Sequence, residues 1–344
     1  MPDNEGSPVR CFTLKDAIPN ALDDELIAVI GYGNLGRPFS LNLRDSGICA
    51  TGENHRLVIG NIEDQFAEQA RTDGFTVMNV GEATANADIV VVLLPDEVIP
   101  EAFTNEIVHN ISRGSAIVFA SGYTLAYGLI KPPDGIDVLL LAPRMGGEIA
   151  RQRYLNREGF HAYISVEQDA SGKAWKRLLG LSEALGVLSA GALELNAQQE
   201  ANLDLLVEQT LGAAIGFAIM NAFSMGVESG IPPEAMVMEM YISGEMETVF
   251  RAFKEKGFFR AATVHGPTAM YGGYLKTMQL LQSDLPGKFS ETWQNIKNGM
   301  FAQQFQEERE SGYPALSIAK SMSLSDDPIT QAEVNLRRLL SAKY

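Results

Sequence analysis

The stretch from Leu26 to Gly47 limits what this chain can fold into more than any other. Leu26–Ile30 is a short apolar run, partly β-branched, and reads as a buried strand. It leads straight into Gly31-Tyr32-Gly33-Asn34-Leu35-Gly36, and Arg37–Asp45 behind it reads as a helix. A strand, a GxGxxG turn and a helix in that order make a dinucleotide site. Gly31 allows the tight turn, Gly33 lets the backbone approach a pyrophosphate, and Gly36 lets the helix lie close to the strand. The anion meets unpaired N–H groups at the positive end of the helix dipole. The bland reading is a tight βα turn with no ligand.

At 344 residues the chain is long enough for two domains with sizeable cores. A net charge of −16 argues against partners built on phosphate backbones or anionic lipid, so neither nucleic acid nor a membrane is expected. The two cysteines, Cys11 and Cys49, make no disulfide framework and fit a reducing, cytoplasmic compartment. Met1–Pro8 is polar and acidic and does not read as a signal peptide. Leu211–Val227, the longest apolar stretch, is rich in Gly and Ala, carries Asn221 and Ser224, and reads as a buried core helix rather than a membrane span.

Beyond the first βα unit, strand candidates fall at Arg56–Gly60, Thr76–Asn79, Asp88–Pro95, Ala116–Ala120, Val138–Ala142 and Ala162–Val166. Helical stretches separate most of them. That alternation predicts an α/β domain with a doubly wound, Rossmann-type parallel sheet over residues 1–188. From Leu193 onward β-type runs almost vanish, and helices are expected over 198–229, 233–253, 270–282, 288–299, 300–310 and 331–341. Residues 189–344 therefore read as an all-helical second domain.

Several stretches together resemble ketol-acid reductoisomerase of the short, bacterial type. They are Gly31–Gly36 with Leu41-Asn42-Leu43-Arg44-Asp45-Ser46-Gly47, Leu93-Leu94-Pro95-Asp96-Glu97-Val98, Gly128-Leu129-Ile130-Lys131-Pro132-Pro133 and Gln168-Asp169-Ala170-Ser171-Gly172. In the helical half, Glu200, Asp204 and Glu208-Gln209 fall on the family's metal-binding helix, and Tyr271-Gly272 with Tyr274 match a later stretch. The resemblance spans about residues 26 to 340. It implies an NAD(P)H enzyme with a knotted, all-helical C-terminal domain, built as a homodimer whose helical domains interlock. The family reaction couples a Mg²⁺-driven alkyl shift to reduction by hydride. Cofactor contacts are implied along Gly31–Gly36, at Asn61 and Glu63, at Leu94-Pro95 and at Ser121.

Asp204 and Glu208 lie four apart, so on a helix both carboxylates point the same way, as hard ligands for Mg²⁺ would. On spacing alone such a pair is more often a solvated helix face. The resemblance makes Asp204 the bridge between two ions and Glu208 the holder of one, with Glu245 supplied by the second subunit. The same register shows departures. Ser121 stands where the family has a histidine, Arg144 where it has a lysine and Glu148 where it has a second histidine. Tyr241 stands in place of a glutamate, with Glu239 on a different helix face, and Gly266, beside His265, in place of a serine. Arg cannot donate a proton at working pH and serine is no imidazole. Arg144 is therefore expected to pair with a substrate carboxylate, while Ser121 or Tyr123 bonds the reacting carbonyl or imine.

After the second strand, Glu63 and Asp64 would repel a 2′-phosphate, which favours NAD(H) over NADP(H). Acids are also common at a helix start for other reasons. Arg56 and Arg71 look badly placed to counter them. The expected activity is reduction of a small 2-keto, 2-imino or ketol acid with the alkyl shift impaired or redirected. The alternatives are an authentic reductoisomerase of branched-chain amino-acid biosynthesis and an inactive nucleotide-binding paralogue.

Overall fold

The computed structural model describes residues 9–47, 56–261, 266–322 and 326–341. The chain divides into two compact units, Met1–Leu203 and Asp204–Tyr344.

In the first unit the strands are β1 (Cys11–Phe12), β2 (Ile27–Ile30), β3 (Leu57–Gly60), β4 (Thr76–Met78), β5 (Ile89–Val92), β6 (Ala116–Phe119), β7 (Asp137–Pro143), β8 (Ala162–Gln168) and β9 (Ala192–Glu194). They form one sheet in the order β1-β9-β8-β7-β6-β5-β2-β3-β4. β2 to β7 are mutually parallel, with Ile27 opposite both Leu57 and Ile89. Every residue of β2, β5 and β6 is buried, as strands covered on both faces must be. Phe39 and Leu43 of α1 (Gly36–Asp45) pack one face, together with Leu178 and Leu181. Val80, Ala83, Phe103 and Ile107 pack the other.

The parallel run from β4 to β7 ends at β8. β8 runs antiparallel to β7, with Ala162 opposite Pro143, because the chain between them returns to the edge at which β7 ends. β9 and the short β1, in a segment that reads from sequence as a loose lead-in, extend that side and carry the sheet past residue 188. At the other edge, buried Arg177 binds Glu25 through two bonds of 3.1 and 3.0 Å, and Asp137 at 2.9 Å. Burial alone would lower the Arg177 pKa, but the two carboxylates raise it above its ordinary value.

The second unit is helical and begins within the helix Ala197–Val207, which passes through a π-type turn, Glu208–Gly212, into Ala213–Glu228. The helix expected over 233–253 breaks at Gly244, whose φ of 79° is left-handed, and a further helix, Pro314–Met322, appears. The buried cluster of this unit is small: Phe223, Val237, Ala332 and Leu336. The expectation of a buried core helix at Leu211–Val227 is overturned. The continuous helix Ala197–Glu228 has 17% of its most apolar window buried, and Phe217 and Met225 are 64% and 62% exposed. It is long and apolar enough, with a mean hydropathy of 1.5, to cross a membrane by length and composition. Hydropathy reports that a face seeks cover, not which chain covers it.

Candidate active site

The C-terminal ends of β2, β3, β5, β6 and β7 share one edge of the sheet. The chain leaves β2 for β3 and β4 on one side and resumes at β5 on the other, so a crevice opens outside the end of β2. The glycine turn lies there. Gly31 has φ +93°, and a Cβ on it would lie 2.9 Å from Leu93 O and 3.0 Å from a Leu94 methyl. A Cβ on Gly36 would lie 2.0 Å from Gly31 O, so α1 can start this close to β2 only without a side chain. At Gly33 the space is open, as a phosphate approaching the backbone requires. The turn thus fits a dinucleotide pyrophosphate by its shape.

Tyr32 is buried, its N–H bonds Asn61 Oδ1 at 3.1 Å, and its hydroxyl donates to Asp73 Oδ2 at 2.9 Å. Arg37 grips the same carboxylate through Nε at 2.7 Å and Nη2 at 3.2 Å. The Arg37 bond, and after it the Tyr32 hydroxyl, holds the Asp73 carboxyl below its usual range against the effect of burial. Tyr32, Gly33, Asn34 and Arg37 line a cleft of about 540 Å³ with Gln65 and Glu148. Glu148 lies in the first turn of the helix Gly147–Leu155 after β7, where Gly147 approaches so closely that a Cβ would lie 2.0 Å from Asn34 O.

After β3, Asp64 Oδ1 accepts the N–H groups of Phe66 and Ala67 at 2.9 and 3.0 Å and the Asn61 amide at 2.9 Å. Asp64 is therefore the cap of α2 (Gln65–Thr72). Glu63 is exposed and bonded by Arg71 at 2.5 and 3.0 Å, which holds its carboxyl below the usual range. Arg71, expected to be badly placed, reaches back along α2 to this loop. On the other side of the crevice Leu94 is half-buried and Pro95 exposed.

The loops after β6 and β7 meet at Glu200, a residue that sequence reasoning placed on the metal-binding helix but not among the site residues. Its side chain is 2% exposed. Oε1 accepts Arg144 Nη1 at 2.6 Å, and Oε2 accepts the Gly122 N–H at 2.7 Å. The Arg144 guanidinium also lies 5.0 Å from the centre of the Tyr163 ring, which β8 places opposite Ala142. Arg144 thus meets a carboxylate of its own chain where a substrate carboxylate was expected. Gly122 is required: a Cβ there would lie 2.2 Å from Ala197 O. Ser121 Oγ donates to Asp96 Oδ2 at 3.3 Å and accepts the Tyr123 N–H at 3.2 Å. The signal for Glu200 was present, since Glu200, Asp204 and Glu208 repeat every four residues along one helix.

In the second unit Asp204 and Glu208 keep that helical spacing, with Glu208 at the start of the π-type turn. Their carboxylates suit one Mg²⁺ ion, which takes one or two protein oxygens and keeps its waters. Among the described residues no group of three or more His, Cys, Asp or Glu side chains is placed to hold a metal. Glu245 opens the helix Glu245–Lys256. The Tyr241 hydroxyl donates to Glu333 Oε1 at 2.5 Å, and burial followed by this bond pushes its pKa up. A phenol that keeps its proton is a weak ligand for a hard cation. His55, Cys49 and His265 lie outside the described residues; His109 and His161 are exposed.

Two family models cover most of the chain. "Acetohydroxy acid isomeroreductase, NADPH-binding domain" matches residues 21–191, and "Ketol-acid reductoisomerase, C-terminal domain" matches 198–342. The "ketol-acid reductoisomerase (NADP(+))" of Caldivirga maquilingensis is 35% identical over 309 residues, 90% of this chain and 92% of the relative. That of Pyrobaculum neutrophilum is 32% identical over 333 residues, 96% of this chain and 99% of the relative. The structure of an NADH-preferring ketol-acid reductoisomerase from an uncultured archean superposes with a TM-score of 0.88 at 30% identity, covering 96% of this chain and 99% of that one.

Two outcomes follow from this geometry. Glu200→Ala leaves Arg144 without its buried carboxylate and Gly122 N–H without an acceptor. It should lower unfolding stability by about 3 kcal/mol in urea titration. Asp73, with a depressed pKa, contributes stability above its unfolded value and loses it as pH falls through the lower folded value. Asp73→Asn should therefore be less stable than the parent at neutral pH, with the gap closing below about pH 4 when urea midpoints are compared.

Proposed function

The chain belongs to the ketol-acid reductoisomerase family, and on that premise we propose that it reduces a small 2-keto, 2-imino or ketol acid with the alkyl-shift half of the family reaction impaired or redirected. The observation that carries this reading is the closed pair of Arg144 and Glu200 beside Ser121. A guanidinium held by its own carboxylate and resting on Tyr163 is a fixed cation without a proton to give. It can orient and neutralise substrate oxygens but not shuttle protons. Proton movement at this edge falls to Ser121, whose hydroxyl is already bonded to Asp96. The nicotinamide, when bound, supplies hydride. Asp204 and Glu208 would hold one Mg²⁺, which, when bound, polarises a substrate oxygen. A pair of ions clamping both migrating and accepting oxygens would need donors that Tyr241 and Gly266 no longer offer. The second reading is the authentic reductoisomerase, favoured by the end-to-end likeness to enzymes of that name.

For the cofactor, Asp64 supports NAD(H). A 2′-phosphate seeking the start of α2 finds its first N–H groups already taken by a carboxylate. Glu63 adds a second negative charge there, though Arg71 balances it in part. The exposed apolar side chains of the helical unit, among them Phe217, Phe259 and Tyr271, support a homodimer that covers them with a second copy of the same helices. A cytoplasmic location fits the two unpaired-framework cysteines.

Purified protein should turn over the already isomerised 2-keto acid about 10²-fold or more faster than acetolactate, the span that a missing acid–base group leaves. Equal kcat/KM for both would establish the authentic reaction instead. KM for NADPH should exceed that for NADH by about tenfold, and Asp64→Ser should narrow the gap by opening the helix start.

A further inference from the structure

A turn built on glycine is permissive by nature, because glycine visits more backbone states than other residues do. Gly33, which a pyrophosphate would approach, has open space where a Cβ would be. A hold on this turn must come from outside it, and one acid makes the contacts that such a hold needs. Tyr32, between Gly31 and Gly33, packs its ring in the core and donates its hydroxyl to Asp73 Oδ2 at 2.9 Å, 41 residues away in sequence. Arg37, in the first turn of α1, reaches the same carboxylate through Nε and Nη2, and Gln69 of α2 donates to Oδ1 at 3.1 Å. Four bonds from three side chains thus converge on a carboxylate that is 14% exposed.

The place of this acid bears on its role. Asp73 follows the last residue of α2, where a carboxylate faces the negative end of the helix dipole, so α2 gains nothing from it. Nor is it needed to fasten α2 to α1. Arg44, in the last turn of α1, already bonds the Asp73 carbonyl at 2.8 Å and lies 5.4 Å from the centre of the Phe75 ring. What the carboxylate adds is a hold on Tyr32 and a fixed posture for Arg37 and Gln69, which line the cleft of about 540 Å³ beside Gly33. Asp73 itself is not part of that lining.

Resting on the nucleotide reading above, we propose that Asp73 is a positioning residue for the dinucleotide, setting its affinity through Tyr32 and Arg37 by holding the glycine turn in shape before the ligand arrives. A turn already in its bound shape loses less freedom on binding, and the difference appears as affinity. An isolated tyrosine hydroxyl could not do this alone. The bidentate grip of Arg37 fixes the carboxylate, and the fixed carboxylate then fixes the ring.

The test is NADH binding by calorimetry, at a temperature at which urea titration shows each variant folded. Asp73→Asn keeps the shape of the side chain, loses the charge that meets Arg37, and should bind NADH about tenfold more weakly. Tyr32→Phe keeps the buried ring, tests the same link on its own, and should bind about threefold more weakly. Because both act through one network, the double variant should bind no more weakly than Asp73→Asn, whereas independent effects would multiply to about thirtyfold. ADP should lose affinity in the same proportion as NADH, while adenosine, which has no phosphate, should keep its inhibition constant. In turnover of the already isomerised 2-keto acid, Asp73→Asn should raise KM for NADH about tenfold and change kcat by under about twofold. Wild-type affinity for NADH in either folded single variant would overturn the inference and leave the nucleotide site standing. A multiplicative double variant, or an equal loss for adenosine, would do the same, since the effect would not then pass through the turn. A wild-type chain that binds neither NADH nor ADP would overturn the inference and the nucleotide reading together.

Discussion

Two missing side chains decide how this molecule begins. A Cβ on Gly36 would stand 2.0 Å from Gly31 O, and a Cβ on Gly31 would press into the backbone of Leu93. With glycine at both places, α1 starts almost on top of β2, and β5 passes directly beside the turn. The free N–H groups at the start of α1 then open into the crevice where the sheet changes direction. Tyr32, between the glycines, is drawn inward to Asp73 and held by Asn61. Tyr32 therefore ties the turn to the end of α2 through its hydroxyl and to the residue after β3 through its backbone N–H. The glycines grant the approach, and the tyrosine makes the turn rigid.

Much of the first unit was legible because its signals are local. β2, β5 and β6 are continuous apolar runs, and a buried parallel strand has no polar face to confuse the pattern. The antiparallel turn into β8 was not legible. Its direction depends on where the chain returns, and periodicity says nothing of that. β1 and β9 are two and three residues long; β1 is held by β9, and β9 by both β1 and β8. The helical unit was legible as helix, but its faces were not. The apolar pattern of a buried helix does not say which side chains are covered, and Phe217 and Met225 are exposed.

In the site, sequence identified Ser121 and Arg144 by register, yet not what each would touch. Ion pairs between residues far apart in sequence, such as Arg144 with Glu200, cannot be read from spacing. Glu63 and Asp64 were weighed together as repulsive acids, and the structure divides them. Asp64 is spent on the cap of α2, and Glu63 on Arg71. A charge count on the loop therefore overstates what a ribose would meet, whereas occupation of the helix start is the stronger argument against a 2′-phosphate.

That position 144 is arginine and not lysine matters beyond one residue. A lysine ammonium beside a buried carboxylate can change its protonation as its surroundings change, because burial shifts its pKa readily. Arginine cannot. With arginine at this position, Glu200 accepts the guanidinium through one oxygen and the Gly122 N–H through the other. Chemistry that needs a proton to arrive and depart here must use a hydroxyl group in contact with an acid, which is what Ser121 and Asp96 form. A single hydride addition to a carbonyl or imine asks for one proton, delivered once. On the reading proposed above, an alkyl shift would ask for proton traffic at two oxygens, more than the single hydroxyl–acid pair of Ser121 and Asp96 is placed to carry.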